Sequence, residues 1–283
     1  MRLALHWRSL GGALALDDLL DTAAAAGFVG VQANRDQLTE YVRRRPNSRL
    51  ARRIAAAGLC QTATWLGLHL EAPEPEFLAG CERLPRLRYL LRALASFGVG
   101  QPAALVRAPA GAAGSDGAAG ARLRLLAGLL AASGLTLLLD PADPSPEAPP
   151  PPRPVPPAAQ EDDLRRLLGW VEAAGAPNVG LVLDLWRWPQ LGASAALDAL
   201  RGVPLLGRMA DAPQVLPAPP AAVPRLVPGT GALDLTGAVR RMRALGYDGY
   251  WEVEAPLRGA DAPALARRCR QAGERVLQDA VRF

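Results

Sequence analysis

The sequence predicts an α/β chain folded as a (β/α)8 barrel, and three observations carry that expectation. Short apolar, β-leaning runs alternate with longer Ala, Leu and Arg segments of helical period along the whole 283-residue chain. The alternation yields eight strands and eight helices, the number a closed barrel needs in about this length. Several helical segments stop at a Gly directly before the next strand, at Gly27, Gly58, Gly134 and Gly246. That is the left-handed cap that ends a helix and turns the chain. No GxGxxG follows the first strand, which argues against an open dinucleotide-binding sheet.

In order, the expected strands are Arg2–His6, Phe28–Gln32, Leu59–Leu66, Ala103–Arg107, Leu135–Asp140, Val179–Asp184, Leu205–Arg208 and Tyr250–Glu254. Between and after them lie helices Leu16–Ala26, Asn47–Ala57, Pro75–Ser96, Ala118–Ala132, Glu161–Ala174, Ser194–Leu200, Asp234–Leu245 and Ala262–Gln278. Residues 1–283 are read as one barrel domain. Two loops interrupt it, APAGAAGSDGAAGA after the fourth strand and the proline-rich PADPSPEAPPPPRPVPPAAQ, at about 141–159, after the fifth. Both fall on the face where barrels keep their active sites, either as lids or as tolerated insertions.

Composition narrows the function classes. Half of the residues are hydrophobic, enough for a sizeable core without disulfides or structural metals. Cys60, Cys81 and Cys269 are odd in number and far apart, which suits a reduced, cytoplasmic setting and excludes a CxxC zinc site. The opening MRLALHWRSL is too short and interrupted for a signal peptide, and no run of about 18 apolar residues occurs. A net charge of +5 and a pI near 9.7 point toward nucleic acid only at first sight. The basic residues sit beside acids in helical segments such as EDDLRRLL and VRRMRAL, so a solvated excess is expected. All 32 basic residues are Arg. Arginine stays protonated, so Schiff-base aldolases and pyridoxal enzymes are excluded.

Three apolar runs end in acids: Asp184 after VGLVL, Asp211 after LLGRMA and Glu254 after GYWEV. Acids at the carboxyl ends of buried strands gather charge at one mouth of a barrel. The segments around them, AAGAPNVGLVLDLWRW, LLGRMADAP, RLVPGTGALDL and GYDGYWEVE, resemble strands 6 to 8 of the xylose-isomerase-like TIM barrels, the sugar phosphate isomerase/epimerase group. The likeness is clear over Leu135–Glu254. It implies a divalent ion, Mg or Mn, held at places that fall here on Asp140, Asp184, Arg208 and Glu254. A guanidinium has no lone pair for a metal and repels it. The family's strand-6 His falls on Arg187 and its strand-2 Glu on Gln32, so the metal site is degenerate.

Arg208 is therefore expected in the metal's place, its charge pairing with Asp140, Asp184 and Glu254, because carboxylates converging without a cation are strongly unfavourable. A vestigial site in which Arg208 merely neutralises leftover acids remains the alternative. The resemblance implies proton abstraction beside a carbonyl of a small polyhydroxy or keto-acid substrate. Glu254 and Asp140 would then be the acid/base pair, and Arg208 or Arg187 would stabilise the enolate. A dehydratase on the same scaffold and a non-catalytic ligand-binding barrel stay open as alternatives. Endonuclease IV chemistry is excluded, since His6 and His69 are the only histidines and cannot build a trinuclear zinc cluster.

His6, His69, Trp7, Trp186, Trp188, Arg187 and Asp211 complete the candidate substrate contacts, with Trp65 and Trp251 also near strand ends. Indole faces suit sugar rings or aromatic substrates. Arg8, Arg35, Arg107 and Arg187 are candidates for adding positive charge for a carboxylate or phosphate, with surface charges as the alternative. The expected partner is a small molecule, with neither nucleic acid nor membrane, and a homodimer is left open.

Overall fold

The computed structural model describes residues 1–10, 14–43, 45–70, 72–96, 103–108, 116–141, 157–188, 195–213, 224–255 and 261–282. Of the two loops expected after the fourth and fifth strands, residues 109–115 and 142–156 lie outside the described residues. The strands are β1 (Arg2–His6), β2 (Gly30–Gln32), β3 (Cys60–Gln61), β4 (Ala63–His69), β5 (Ala103–Ala108), β6 (Leu137–Pro141), β7 (Val179–Asp184), β8 (Leu205–Met209) and β9 (Tyr250–Val253). They form one sheet in the order β3-β2-β1-β9-β8-β7-β6-β5-β4, and neighbouring strands run parallel.

The two ends of that order are joined by the chain itself. Only Thr62 separates β3 from β4; its N–H donates to Val31 O on β2 (3.0 Å) and its carbonyl accepts from Ala103 N–H on β5 (2.9 Å). The expected third strand is thus a single extended segment that changes partner at Thr62. The sheet becomes a nearly closed barrel, and closure hides the strand edges that an open sheet would expose.

Helices α1 (Leu16–Ala25), α2 (Arg35–Arg43), α3 (Asn47–Ala56), α4 (Glu74–Glu82), α5 (Leu84–Ser96), α6 (Asp116–Ala131), α7 (Pro157–Ala174), α8 (Leu235–Ala244) and α9 (Ala262–Arg282) pack around it. The predicted caps hold: Gly27, Gly58, Gly134 and Gly246 all have positive φ, a conformation that a Cβ disfavours. The expected helix over 75–96 is broken at Arg83. Pro85 has no N–H to offer the Cys81 carbonyl, so the helix cannot run through. Helix α2 was not anticipated, because its segment buries only Leu38 and Tyr41 and lacks a continuous apolar stripe. Its start is fixed by reciprocal bonds, Asn34 N–H to Gln37 Oε1 (2.9 Å) and Gln37 N–H to Asn34 Oδ1 (2.7 Å). That is the capping box, written in the sequence as Asn-x-x-Gln. The expected helix over 194–200 is a 3-10 turn, Ala195–Leu200, and α6 begins at Asp116 inside the loop expected after the fourth strand.

Most apolar side chains fill the layer between barrel and helices. A smaller cluster of Ala63, Ala103, Leu105, Leu138, Val182 and Leu206, flanked by Trp65 and Tyr250, fills the barrel interior. Because strand side chains alternate, residues two positions further along share that inward face. They are Arg107, Asp140, Asp184 and Arg208, and the register aligns Arg107 with Asp140, Asp184 with Arg208, and Arg208 with Glu252. The barrel therefore carries an apolar layer and, above it toward the carboxyl ends, a layer of charge. Among the described residues no helix is long and apolar enough to cross a membrane.

Candidate functional site

Arg208 is the hub of the charged layer, with a side chain only 4% exposed. Its Nη1 donates to Asp140 Oδ1 at 2.9 Å, and its Nε and Nη2 both donate to Glu252 Oε2 at 3.4 Å. Glu254 Oε2 lies 3.4 Å from the same Nε. Burial alone would lower the Arg208 pKa, but the charges of Asp140, Glu254, Glu252 and Asp184 outweigh it and raise the value. The guanidinium is thus a permanent internal cation. A guanidinium has five N–H donors, and the three hydrogen bonds named leave two of them without an acceptor among the described residues.

Asp184, which was expected on Arg208, is held by a second arginine. Arg225 donates from Nη1 to Asp184 Oδ1 (3.1 Å) and from Nη2 to Oδ2 (2.6 Å), the two-pronged geometry in which such pairs are strongest. Its Nε lies 3.6 Å from Glu254 Oε1, and its Cζ sits 4.4 Å above the Trp186 ring. Arg225 opens the RLVPGTGALDL loop, and the antiparallel bridge from Leu226 to Asp211 pins that loop beside β8.

Glu254 lies where these cations meet. Its Oε1 accepts from Arg8 Nη1 (3.4 Å), and His6 Nε2 is 3.9 Å from its Oε2. Buried Oε2 accepts no hydrogen bond from the described residues. Below it, Glu252 accepts from Thr62 Oγ1 at 2.6 Å. Burial pushes the Glu252 carboxyl up to about 7, against the lowering influence of Arg208 and Thr62, with Asp140 and Glu254 adding to the rise. The Gln32 amide ends 2.6 Å from Glu252 Oε2 and 3.1 Å from His6 Nε2. Turned with its nitrogen there, the amide donates to a charged Glu252. Turned with its oxygen there, it accepts from a protonated Glu252 and from His6 Nε2–H. Arg8 N–H donates to His6 Nδ1 (3.2 Å), which leaves the proton of a neutral His6 on Nε2 and suits the second arrangement.

This sets a pH dependence. Glu252 has a folded pKa above that of an unfolded carboxyl, so between the two values the folded chain holds the extra proton and stability falls as pH rises. The stability of the native chain minus that of E252Q is expected to drop by on the order of 2–3 kcal/mol between pH 5 and pH 8. Urea unfolding at the two pH values reads it; a difference that stays constant would remove Glu252 as the titrating group.

The other sequence-derived candidates divide. His6 lies beside Glu254, 3.9 Å from its Oε2, and Trp7 stacks on His6 with centroids 5.9 Å apart. Trp186 backs Arg225, and His69 meets Trp65 edge-on at 5.6 Å. Arg187, by contrast, turns outward to Asp163 on α7, with Nη2–Oδ2 at 3.0 Å. Trp188, 1% exposed, donates to the same oxygen at 3.3 Å. Both follow the end of β7, where the chain has left the inward alternation, so they serve the barrel–helix layer. Trp251 is likewise buried in that layer. The Asp211 carboxylate is filled by backbone donors, Ala212 and Leu233 N–H on Oδ1 (2.8 and 3.0 Å) and Gly231 N–H on Oδ2 (2.9 Å). It shapes the loop that delivers Arg225.

The residues present do not fit the divalent ion that the resemblance implies. Both oxygens of Asp184 and one of Asp140 are committed to guanidinium donors, and the strand-7 ligand place is itself Arg208. Among the described residues no group of three or more His, Cys, Asp or Glu side chains is arranged to hold a metal. Two residues that the sequence reading had given no role, Arg225 and Thr62, prove central. The RLVPG motif carried a signal for Arg225; nothing local marked Thr62.

Comparison with known proteins agrees with the architecture. A family model described as xylose isomerase-like TIM barrel matches residues 20–272. The structure is similar to a xylose isomerase domain protein from Alicyclobacillus acidocaldarius (24% identity, TM-score 0.78, 99% of each chain covered). It also resembles a D-psicose 3-epimerase from Clostridium cellulolyticum H10 (15% identity, TM-score 0.72, 98% of this chain and 99% of that one). A probable 3-DHS dehydratase from Bacillus anthracis is a further neighbour (15% identity, TM-score 0.69, 97% and 99% covered). The search of curated proteins found no match.

Proposed function

The chain belongs to the xylose isomerase-like TIM barrel family, and on that premise we propose that it is an isomerase or epimerase that moves a proton beside a carbonyl without a metal ion. One observation carries the reading: Glu254 Oε2, a buried carboxylate oxygen with no hydrogen bond from the described residues, lies 3.4 Å from a permanent cation, two of whose N–H groups have no acceptor among those residues. A base and an electrophile adjoin. Glu254 removes the proton on the carbon next to the carbonyl; the electron pair moves onto the carbonyl oxygen, and Arg208 holds the resulting oxyanion. Asp140, the more exposed partner at 13%, takes a proton from solvent and gives it to the opposite face of the enolate while Glu254 releases its own proton to solvent; in an isomerisation the neighbouring carbon takes the proton and the adjoining hydroxyl proton passes to the former carbonyl oxygen. Arg8, 32% exposed, lies over Glu254 Oε1 and moves aside for substrate.

The epimerase and the dehydratase among the similar structures supply the two reaction classes compatible with this first step. Expulsion of a β-hydroxyl after the same proton abstraction would make the enzyme a hydro-lyase. The reading is tested by incubating the protein in D2O with a panel of ketoses and keto acids, metal chelators present, and following deuterium at the carbon beside the carbonyl by NMR. Incorporation is expected. Its absence across the panel, with ligands still binding, would assign the chain to a binding barrel, a second reading favoured by the complete pairing of Asp184.

A further inference from the structure

The charged layer is not balanced around its circumference. On the β7–β9 side, Arg208 and Arg225 each meet a buried carboxylate, Glu252 and Asp184. On the β4–β5 side two arginines gather instead on an indole. Arg35 Cζ lies 5.6 Å and Arg107 Cζ 5.2 Å from the Trp65 ring centroid. The approach of Arg35 is built into the strand: Gly67 on β4 has φ +76°, and a Cβ there would collide with Arg35 Nη1. The register of β4 against β5 shifts between Trp65 and His69, so the strand bulges at this point.

These guanidiniums lack the partners that the others have. Arg107 makes no ion pair or side-chain hydrogen bond among the described residues, and its register neighbour Asp140 gives Oδ1 to Arg208. Among the described residues the one acid that Arg35 meets is Asp36, next to it in sequence, at 3.4 Å, and Asp36 is 84% exposed. An exposed pair of that kind holds little. Trp65 Nε1 is buried with no acceptor among the described residues. Two forked donors on one aromatic face, partly shielded from water and short of acceptors, are the chemistry that recognises an oxyanion.

We propose that the β4–β5 side of the mouth is an oxyanion subsite, in which Arg35 and Arg107, assembled on Trp65, take a carboxylate or phosphate carried by the substrate. The inference rests on the proton-transfer reading for its placement, since Asp140 on β6 stands between Arg107 and the Arg208–Glu254 centre. A substrate anchored at Arg107 therefore extends past Asp140 toward the base. The substrate class becomes an anionic polyhydroxy compound rather than a neutral sugar.

Calorimetry on the whole protein tests it with three probes: gluconate, glucitol 6-phosphate and neutral glucitol. At least one anion is expected to bind at least tenfold more tightly than glucitol and to weaken with added salt. The whichever-tighter anion identifies the group as carboxylate or phosphate. R107Q is expected to cost that anion at least tenfold, R35Q/R107Q to abolish its preference over glucitol, and R107K to recover part of it. Anions that bind no better than glucitol, or an R107Q chain with unchanged anion affinity, would overturn the subsite. The two readings fail separately. Absence of deuterium exchange together with Arg107-dependent anion binding removes the reaction and keeps the subsite, whereas exchange into substrates with no dependence on Arg107 does the reverse.

Discussion

Replacing Arg208 with glutamine is expected to cost about 3–5 kcal/mol of stability at pH 8, the penalty of leaving buried charges without their counter-ion. Asp140, Glu252 and Glu254 all lie within 3.4 Å of this one guanidinium. Without it, three partly or wholly buried carboxylates repel each other in a poorly solvated layer, and each is driven to take up a proton. The sign follows. In the variant the folded carboxyls titrate above their unfolded values, so stability recovers as pH falls through those raised values and is lowest at high pH. R208K keeps the charge but not the fork and is expected to fall between the two. Denaturant unfolding at pH 5 and pH 8 measures the effect; an R208Q chain within about 0.5 kcal/mol of the parent at pH 8 would show that Arg208 does not hold the layer together.

Glu254 is expected to dominate activity in the same way. E254Q preserves the shape of the side chain while replacing the basic carboxylate that accepts the substrate proton with a non-basic amide, and the loss of a general base typically costs about 10²–10⁴ in rate. Deuterium exchange should fall by that amount while ligand affinity changes little, because the ligand is held by other groups. D140N acts on the second half of the reaction: exchange persists, but conversion to the epimer slows. Exchange by E254Q at the native rate would remove Glu254 as the base and leave the buried cluster a structural one.

Much of this was legible before any coordinates. Alternation within strands is a local property, so the inward placement of Asp140, Asp184 and Arg208 followed from the runs that precede them. The arginine at the place where the resemblance implies a metal ligand was visible as a residue type, and a guanidinium has no lone pair to give a metal. Glycine caps were readable because a left-handed φ is a demand on one residue.

Local rules end where the chain leaves the strands. Arg187 and Trp188 follow β7 immediately, yet they turn to Asp163 on α7, a partner 24 or 25 positions away that no periodicity in the strand reveals. Asp211 reads as a site acid by position but is saturated by the loop that returns to it. The partner of Asp184 could not be assigned either, because Arg225 arrives from 41 positions away on an irregular segment.

The sequence by itself determined the barrel, the face on which charge collects, and the presence of a fixed cation among acids. Those depend on residue type and on periods of two and 3.6, which act between near neighbours. Only the tertiary structure decided how the cations are shared. Arg208 holds Asp140, Glu252 and Glu254, Arg225 holds Asp184, and among the described residues Arg35 and Arg107 remain on Trp65 without a buried acid. That division is set by which long side chains reach across a closed circle of strands, and closure brings together residues whose separation along the chain carries no information about their distance in space.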